Sequence, residues 1–599
     1  MMKTQEAATA VETWLSAFDE ALRSRDGEAA SALFVEDCFW RDLVAFTWNI
    51  KTLEGREAIA AMLRANLDAT APSRWRLTEA PERRDGVCEA WLSFETQVGR
   101  GRGVLRLRDG KAWTLLTALE ELKGFEERSG PRRPNGVEHG VYRREKTWLE
   151  AKQAEEAALG YEKQPYCVIV GGGQGGIALG ARLKQLDVPT IILEKNALPG
   201  DSWRNRYRSL VLHDPVWYDH LPYIPFPDHW PVFTPKDKLG DWLEMYVKVM
   251  ELNYWAASEC LRAAYDEERE EWIVEVRRDG RPATLRPKHL IFATGAYGPP
   301  REIPLPGRER FRGECYHSSR YQTGEAYAGK HCVVIGGNSS AHDIAANLLE
   351  FGAKVTMLQR SPTTVVRSET LMEYGFGPLY SESALKAGIS AEKADLIFAA
   401  TPFRLMPQGQ IELYREIRKR DAAFYERLAK SGLRLDFGED ESGLMMKAFR
   451  TGSGYYIDVG ASELIANGSI AVKSGVEIRQ VKENAVELTD GSELPADLIV
   501  MATGFQSMNR ALAPIISEEV ADRVGKCWGL GSGVANDPGP WEGEPRNMWK
   551  PTQQPALWLH GGNLHLSRHY SLLLALQLKA RMEGLPTPVY GLQPVFHKS

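Results

Sequence analysis

The chain has 599 residues, 43% of them hydrophobic and 26% charged, and its formal charge is 74 − 80 = −6. That length exceeds what a single hydrophobic core organises, so several compact units are expected. An ordinary globular composition with a slightly acidic balance excludes a disordered chain and a nucleic-acid-binding protein.

The N-terminus, MMKTQEAATAVETW, lacks the charged segment and apolar stretch of a secretory signal, and no 18-residue apolar run occurs. A cytoplasmic protein without a membrane span is expected. The seven cysteines, Cys38, Cys88, Cys167, Cys260, Cys315, Cys332 and Cys527, stand singly with no CxxC pair. This predicts no metal site and places any redox chemistry on a cofactor.

Residues 1–125 open with Val11, Trp14, Leu15, Phe18 and Leu22 at helical spacing, predicting a helix over Ala8 to Ser24. EAWLSFETQV and GRGVLRLRDG alternate as antiparallel strands, so an α+β domain is expected. It resembles the NTF2-like cone fold, with a structural or dimer-forming role favoured. The resemblance also makes Asp42, beside Trp40 and Arg41, a candidate vestigial acid/base.

Residues 126–162 begin with Pro, Gly and Arg and end in a charged helix-forming stretch, as an interdomain connection does; Val141, Tyr142 and Trp148 suggest that it packs. From Tyr166 the pattern becomes strand, glycine turn, helix, strand, the α/β grammar of a parallel sheet, and it occurs twice. The expected fold class is therefore α/β, with two Rossmann-like dinucleotide-binding domains preceded by the α+β cone.

In CVIVGGGQGGIALGARLKQLDVPTIILEK, Gly171, Gly173 and Gly176 lie between a strand, Cys167 to Val170, and a helix, and Glu194 ends the next strand. Small residues there allow a tight turn and bring a pyrophosphate to the helix N-terminus, where free N–H groups favour an anion; an acid at the strand end binds ribose hydroxyls. Gly171, Gly173, Gly175, Gly176 and Glu194 are candidate FAD contacts. In HCVVIGGNSSAHDIAANLLEFGAKVTMLQRSP, Gly336, Asn338 and Ala341 take the glycine positions and Arg360 replaces the acid. A guanidinium pairs with a 2′-phosphate where an acid repels it. This unit is expected to take NADPH through Gly336, Asn338, Ser339, Ser340 and Arg360.

Strand ends Ala293-Thr294-Gly295 and Ala502-Thr503-Gly504 read as points where the chain leaves and re-enters the nucleotide domains. The expected division is an FAD domain over 163–324 and 491–599, interrupted by an NADPH domain over 325–490. A helical insertion at about 372–474 is expected to cover the substrate, with Tyr455 and Tyr456 as pocket lining or as a buried pair.

FRGECYHSSRY carries Phe311, Gly313, His317 and Tyr321 as FxGxxxHxxxY, which resembles the fingerprint of flavin-containing monooxygenases; PGDSWRNRY, with Trp203, resembles their GGxW segment, and MATGF their second strand end. Together the resemblance covers residues 163–599. It implies that FAD reduced by NADPH captures O2 as a C4a-hydroperoxide and inserts one oxygen atom into a small organic substrate. It also implies that His317 is a linker residue shaping the cofactor-bound conformation; a satisfied structural histidine is an equal reading. His213 occupies a position where many heteroatom-oxygenating members carry Asn. The plant auxin-forming members resemble this sequence there, as do extended bacterial members associated with Baeyer-Villiger oxidation of ketones and with NADH use. His213 is accordingly a catalytic candidate, with a packing histidine as the other reading.

In PALWLHGGNLHLSRHYS a glycine turn precedes a helix, making Asn563 and Ser567 candidate flavin contacts alongside Thr503 and Gly504. The expected function is oxygenation of a ketone or of a soft sulfur or nitrogen, by a homodimer. The alternatives are indole-3-pyruvate-type oxidative decarboxylation and a non-oxygenating FAD/NADPH oxidoreductase. The missing CxxC argues against a disulfide reductase.

Overall fold

The computed structural model describes residues 2–136 and 146–597. The chain opens with α1 (Met2–Arg23) and α2 (Gly27–Ala32), then β1 (Phe34–Leu43), β2 (Ile50–Glu54) and α3 (Arg56–Thr70). β3 (Ser73–Leu77), β4 (Glu82–Arg84), β5 (Val87–Glu95), β6 (Gly99–Arg108) and β7 (Lys111–Leu122) follow. The strands form one seven-stranded sheet of order β2-β1-β7-β6-β5-β3 with β4 on β5. Its inner face is aromatic: Trp14, Phe18, Phe34, Trp40, Phe46, Trp75 and Phe94 stack edge and face in one buried cluster. Because strand side chains alternate, Arg41 between Trp40 and Asp42 faces outward, and there it meets the rest of the protein.

Helix α4 (Trp148–Ala158) begins with a capping box, Thr147 with Glu150. Val141 and Tyr142 lie outside the described residues. Trp148 does not pack as its apolar character suggests: it is 55% exposed, and its indole N–H reaches Glu251 on the surface.

The first dinucleotide unit runs β8 (Cys167–Val170), α5 (Gln174–Gln185), β9 (Thr190–Leu193), α6 (Asp201–Arg204), α7 (Lys236–Val249) and β10 (Tyr254–Trp255). An antiparallel ribbon, β11 (Ser258–Asp266), β12 (Glu271–Arg278) and β13 (Arg281–Leu285), then leads to β14 (His289–Phe292). Beyond it lie β15 (Glu314–His317), β16 (His331–Ile335), α8 (Ser339–Glu350), β17 (Lys354–Gln359) and β18 (Thr364–Arg367). Six helices follow: α9 (Ser368–Leu371), α10 (Glu382–Lys386), α11 (Ala391–Ala399), α12 (Met406–Arg420), α13 (Ala422–Lys430) and α14 (Gly443–Thr451). The chain returns through β19 (Tyr455–Asp458), α15 (Ala461–Ala466), β20 (Ala471–Ser474), β21 (Ile478–Val481), β22 (Ala485–Leu488), β23 (Glu493–Pro495) and β24 (Leu498–Met501). It ends with α16 (Glu518–Val524), β25 (Leu557–Leu559) and α17 (Leu564–Met582).

Two five-stranded sheets result, β10-β9-β8-β14-β25 and β15-β24-β16-β17-β20. The pairings within both are parallel. Their central strands, such as β8 and β24, are buried and apolar on both faces, as sheets covered on both sides require. β25 pairs with β14, so the first unit is discontinuous. The expected boundaries shift, however. β15 falls in the stretch assigned to the first unit, 163–324, and β24 in the stretch assigned to its return, 491–599, yet both belong to the second sheet. The reason is register: β24 runs between β15 and β16, pairing Leu498 with Glu314 and with Cys332. The crossing therefore comes after Met501. The tail of the expected helical insertion is also corrected, since β19 pairs with β18 and β20 with β17.

The two connections are tied together. Arg301 N–H donates to Gly504 O at 2.9 Å, Gly298 N–H to Gln506 O at 2.9 Å, and Gln506 N–H to Pro299 O at 2.9 Å.

The outer sheet face of residues 34–122 docks on α17, α11 and the 541–550 segment. Arg41, 1% exposed, forms a two-pronged pair with Glu544 at 2.7 Å per prong. It also donates to Ala399 O at 2.8 Å and to the Tyr570 hydroxyl at 3.1 Å. Thr52 adds a third donor to Glu544 at 2.7 Å. A buried pair of this kind fixes one docking geometry because either charge alone would be stranded.

Candidate functional site

Gly171 follows β8 with φ +107°, and a Cβ there would lie 2.5 Å from Ala293 O. At Gly176 it would lie 2.0 Å from Gly171 O, so only glycine lets helix α5 sit against its own turn. Gly173 caps α5 without a side chain, leaving the first-turn N–H groups around Gly175 and Gly176 without a side-chain cap. Glu194, buried, accepts from Gly172 N at 2.8 Å and from Asn196 N at 2.9 Å, which binds the end of β9 to the glycine turn.

The N-terminus of α17 lies beside that of α5. Gln174 Nε2 donates to Gly562 O at 3.1 Å, and Trp203 Nε1 donates to Gln174 Oε1 at 3.2 Å. Asn563 caps α17 through Leu566 N at 3.0 Å, and its Nδ2 lies 3.4 Å from both Asp214 Oδ2 and the Tyr218 hydroxyl. Ser567 is fully buried and its hydroxyl has no partner among the described residues. It sits 3.6 Å from where a Gly175 Cβ would be.

His213 stands half-exposed beside this group, with Nε2 3.9 Å from Asp214 Oδ1. From the second unit, Asp343 of α8 accepts from the Tyr207 hydroxyl at 2.6 Å; burial raises its carboxyl, and Tyr207 and His213 counteract the rise. His213 thus lies where the two units face each other.

In the second unit Gly336 has φ +148°, and a Cβ there would lie 2.4 Å from Ala502 O. Asn338 caps α8 without using its side chain, Ser339 Oγ reaches Tyr455 O at 3.3 Å, and Ser340 is half-buried. Arg360 projects from the end of β17 and has no ion pair or hydrogen bond among the described residues. Tyr456 is a buried core residue stacked on His342, with ring centroids 4.0 Å apart. Tyr455 is half-buried; burial raises its phenol, and Tyr297 and Asp214 reinforce the rise.

Several sequence-derived candidates belong elsewhere. His317 is not free for proton chemistry: Nδ1 accepts from Ser319 N at 3.1 Å and Nε2 donates to Gly504 O at 2.9 Å. It clamps β15 to the crossing, and burial lowers its pKa. The Thr503 hydroxyl is committed to Arg301 O, and Gly504 O takes both Arg301 and His317, so these two fasten the crossing instead of offering those groups to a ligand. Asp42 is no acid/base either. Fully buried, it accepts from Phe46 N, Thr47 N, Thr47 Oγ1 and Thr117 Oγ1, bracing a turn.

Sequence reasoning missed a buried knot behind α17. Asp395 of α11 accepts both prongs of Arg568 at 2.8 and 2.9 Å and the Tyr380 hydroxyl at 2.9 Å, and lies 3.2 Å from His565 Nε2. The cationic neighbours hold its carboxyl well below the usual range against burial. Tyr218 stacks on His565 at 4.3 Å, which carries the knot to Asn563. A second link runs from Tyr570, stacked on Trp549 at 3.9 Å, to Gly561 O, which accepts from Trp549 Nε1 at 3.1 Å. The only sequence signal was an unusual density of His, Arg and Tyr in 565–570.

Residues 168–405 match the family model described as pyridine nucleotide-disulphide oxidoreductase. The chain is 30% identical over 345 residues, 57% of its length and 77% of the relative's, to the indole-3-pyruvate monooxygenase YUCCA1 of Oryza sativa subsp. japonica. It is 28% identical over 344 residues, 57% of its length and 81% of the relative's, to the probable indole-3-pyruvate monooxygenase YUCCA10 of Arabidopsis thaliana. In fold it is similar to the crystal structure of cyclohexanone monooxygenase with epsilon-caprolactone bound, with TM-score 0.51 and 19% identity over 70% of this chain and 88% of that one.

Proposed function

Because this chain belongs to the flavin-containing monooxygenases, we propose that it binds FAD in the first unit and NADPH in the second and transfers one oxygen atom of O2 to a small organic substrate, a ketone first and a soft sulfur or nitrogen second. The residues present fit the flavin. Gly171 and Gly176 have no room for a side chain, so the turn packs tightly under the uncapped N-terminus of α5 where a pyrophosphate would bind, and the buried Ser567 hydroxyl has no partner among the described residues. Gly171, Gly173, Gly175, Gly176, Glu194 and Trp203 would hold it from one side and Asn563 and Ser567 from the other. Gly336, Asn338, Ser339, Ser340 and Arg360 would hold the nicotinamide coenzyme.

The observation that carries the reading is the placement of His213. It lies beside Asp214, which touches Asn563 of the first unit, and within electrostatic reach of Asp343 of the second. When bound, the flavin supplies hydride acceptance and O2 activation. The chain's own residues do the rest. Asn563, itself in contact with the Tyr218 hydroxyl, meets Asp214, Asp214 lies beside the His213 imidazole, and His213 would offer a ring nitrogen to a substrate held between the units. The insertion, pinned to α17 by Asp395 and Arg568, would cover that space.

A second reading, oxidative decarboxylation of an indole-3-pyruvate-type 2-oxo acid, is favoured by the sequence relatives. Product analysis by mass spectrometry under 18O2, with matched ketones, thioethers and 2-oxo acids, separates them. Labelled esters or lactones support the ketone reading, labelled sulfoxides the second preference, and labelled shortened acids the alternative. Coenzyme oxidation with no labelled product would reject oxygenation. The cytoplasmic homodimer expected from sequence is part of the same proposal; light scattering on the purified protein decides the dimer.

A further inference from the structure

β17 ends at Gln359, and Arg360 leaves the sheet at its carboxyl end. The loop after α13 returns to this same point. Arg434 N donates to Gln359 Oε1 at 2.9 Å, and Arg434 O accepts from Gln359 Nε2 at 3.0 Å and from Thr363 N at 3.1 Å. Gln359 is fully buried, so its amide serves to fix this loop against the strand end. On the other side β20 pairs Ser474 with Gln359, which sets Gly475 beside Arg360. A Cβ on Gly475 would have Arg434 Nη1 as its neighbour at 3.9 Å. The Arg434 guanidinium therefore hangs over the edge from which Arg360 projects.

Both arginines are exposed, and among the described residues neither guanidinium has an ion pair, hydrogen bond or ring contact. This contrasts with their surroundings, where Arg367 meets Asp421, Arg418 meets Glu441 and Arg427 meets Glu463. Two uncommitted forks at one strand end repel each other unless an anion lies between them, and a phosphate accepts two forks at once.

We propose that Arg434, contributed by the helical insertion, is a second guanidinium of the coenzyme 2′-phosphate site. The inference rests on the reading of Arg360 as a phosphate ligand. It makes the insertion part of coenzyme selection as well as a cover over the substrate space. Arg434 approaches from a different element, so the phosphate is held from two sides and NADH finds no counterpart.

The test is calorimetric titration of the flavin-loaded protein with 2′,5′-ADP, which carries the 2′-phosphate, and with 5′-AMP, which lacks it. Arg434→Ala is expected to weaken 2′,5′-ADP about tenfold, equivalent to ~1.4 kcal/mol, and 5′-AMP less than twofold. Arg434→Lys keeps the charge without the fork and should fall between. If Arg434→Ala leaves 2′,5′-ADP within twofold while Arg360→Ala weakens it, Arg434 has no such role and the Arg360 reading survives. If neither substitution acts, both readings fall. Equal weakening of the two probes by Arg434→Ala would assign it to the loop's shape and overturn the proposal.

Discussion

The two dinucleotide units use one backbone plan and relax it differently. Gly171 and Gly336 both take positive φ, and both would thrust a Cβ into the carbonyl of an Ala-Thr-Gly strand end, at 2.5 and 2.4 Å. That close pass is common to the two units and demands glycine in each. The third position differs. Gly176 has no room, with a Cβ 2.0 Å from Gly171 O, whereas Ala341 is accommodated fully buried. The strand ends differ too: Glu194 is bonded into its own glycine turn, while Arg360 is uncommitted. A unit that grips its ligand permanently needs the tightest turn and a prearranged acid. One that exchanges its ligand can accept a looser turn and an open cation.

The most severe disturbance is at the N-terminal docking, where Arg41 makes its buried ion pair to the return segment of the first unit and meets the Ala399 carbonyl in the insertion of the second. Arg41→Met strands Glu544 in a dry interface and should cost about 3–5 kcal/mol by urea unfolding, with flavin released early. The double substitution Arg41→Met with Glu544→Met should recover most of that stability. Next comes Gly176→Ala, expected to abolish flavin retention as read from visible absorption at equal protein, while Ala341→Gly in the second unit changes NADP binding less than twofold. Equal effects at the two positions would erase the distinction between the turns. Arg360→Ala is expected to raise the KM for NADPH about tenfold and leave that for NADH within twofold, the range of a charge-assisted bond at an exposed site.

The smallest effect concerns pH, where the units should agree. Burial pushes His560 of the first and His342 of the second down to about 4 from 6.5. The unfolded chain then binds more protons between these values, so stability falls as pH drops from 6.5 toward 4. His342→Phe should flatten part of that slope in thermal midpoints across the range. An unchanged slope would mean that His342 is not neutral in the fold.

Local grammar made both glycine turns, the strands beside them and the discontinuity of the first unit legible in the sequence. A glycine turn is a property of neighbouring residues. The placement of β15 and β24 was not legible, because a parallel edge is chosen by pairing partners nearly two hundred residues apart: Glu314 sits opposite Leu498. His317 illustrates the same limit from the side of chemistry. Its fingerprint located the linker, but only the fold shows both ring nitrogens occupied. Asp395 with Arg568 and Arg41 with Glu544 join positions 173 and 503 residues apart, and no spacing rule reaches that far. Asp42, next to an arginine that proved important, is instead a structural acceptor: its partners are donors of the following turn and Thr117 of β7.

The pairing of Arg41 with Glu544 also constrains descent. A change of one member alone leaves a bare charge between two packed surfaces, so a viable change at either position calls for a matched change at the other. Loss of the whole N-terminal domain is the milder event for Glu544, because water then takes the place of the guanidinium. The interface therefore resists gradual erosion more than outright removal.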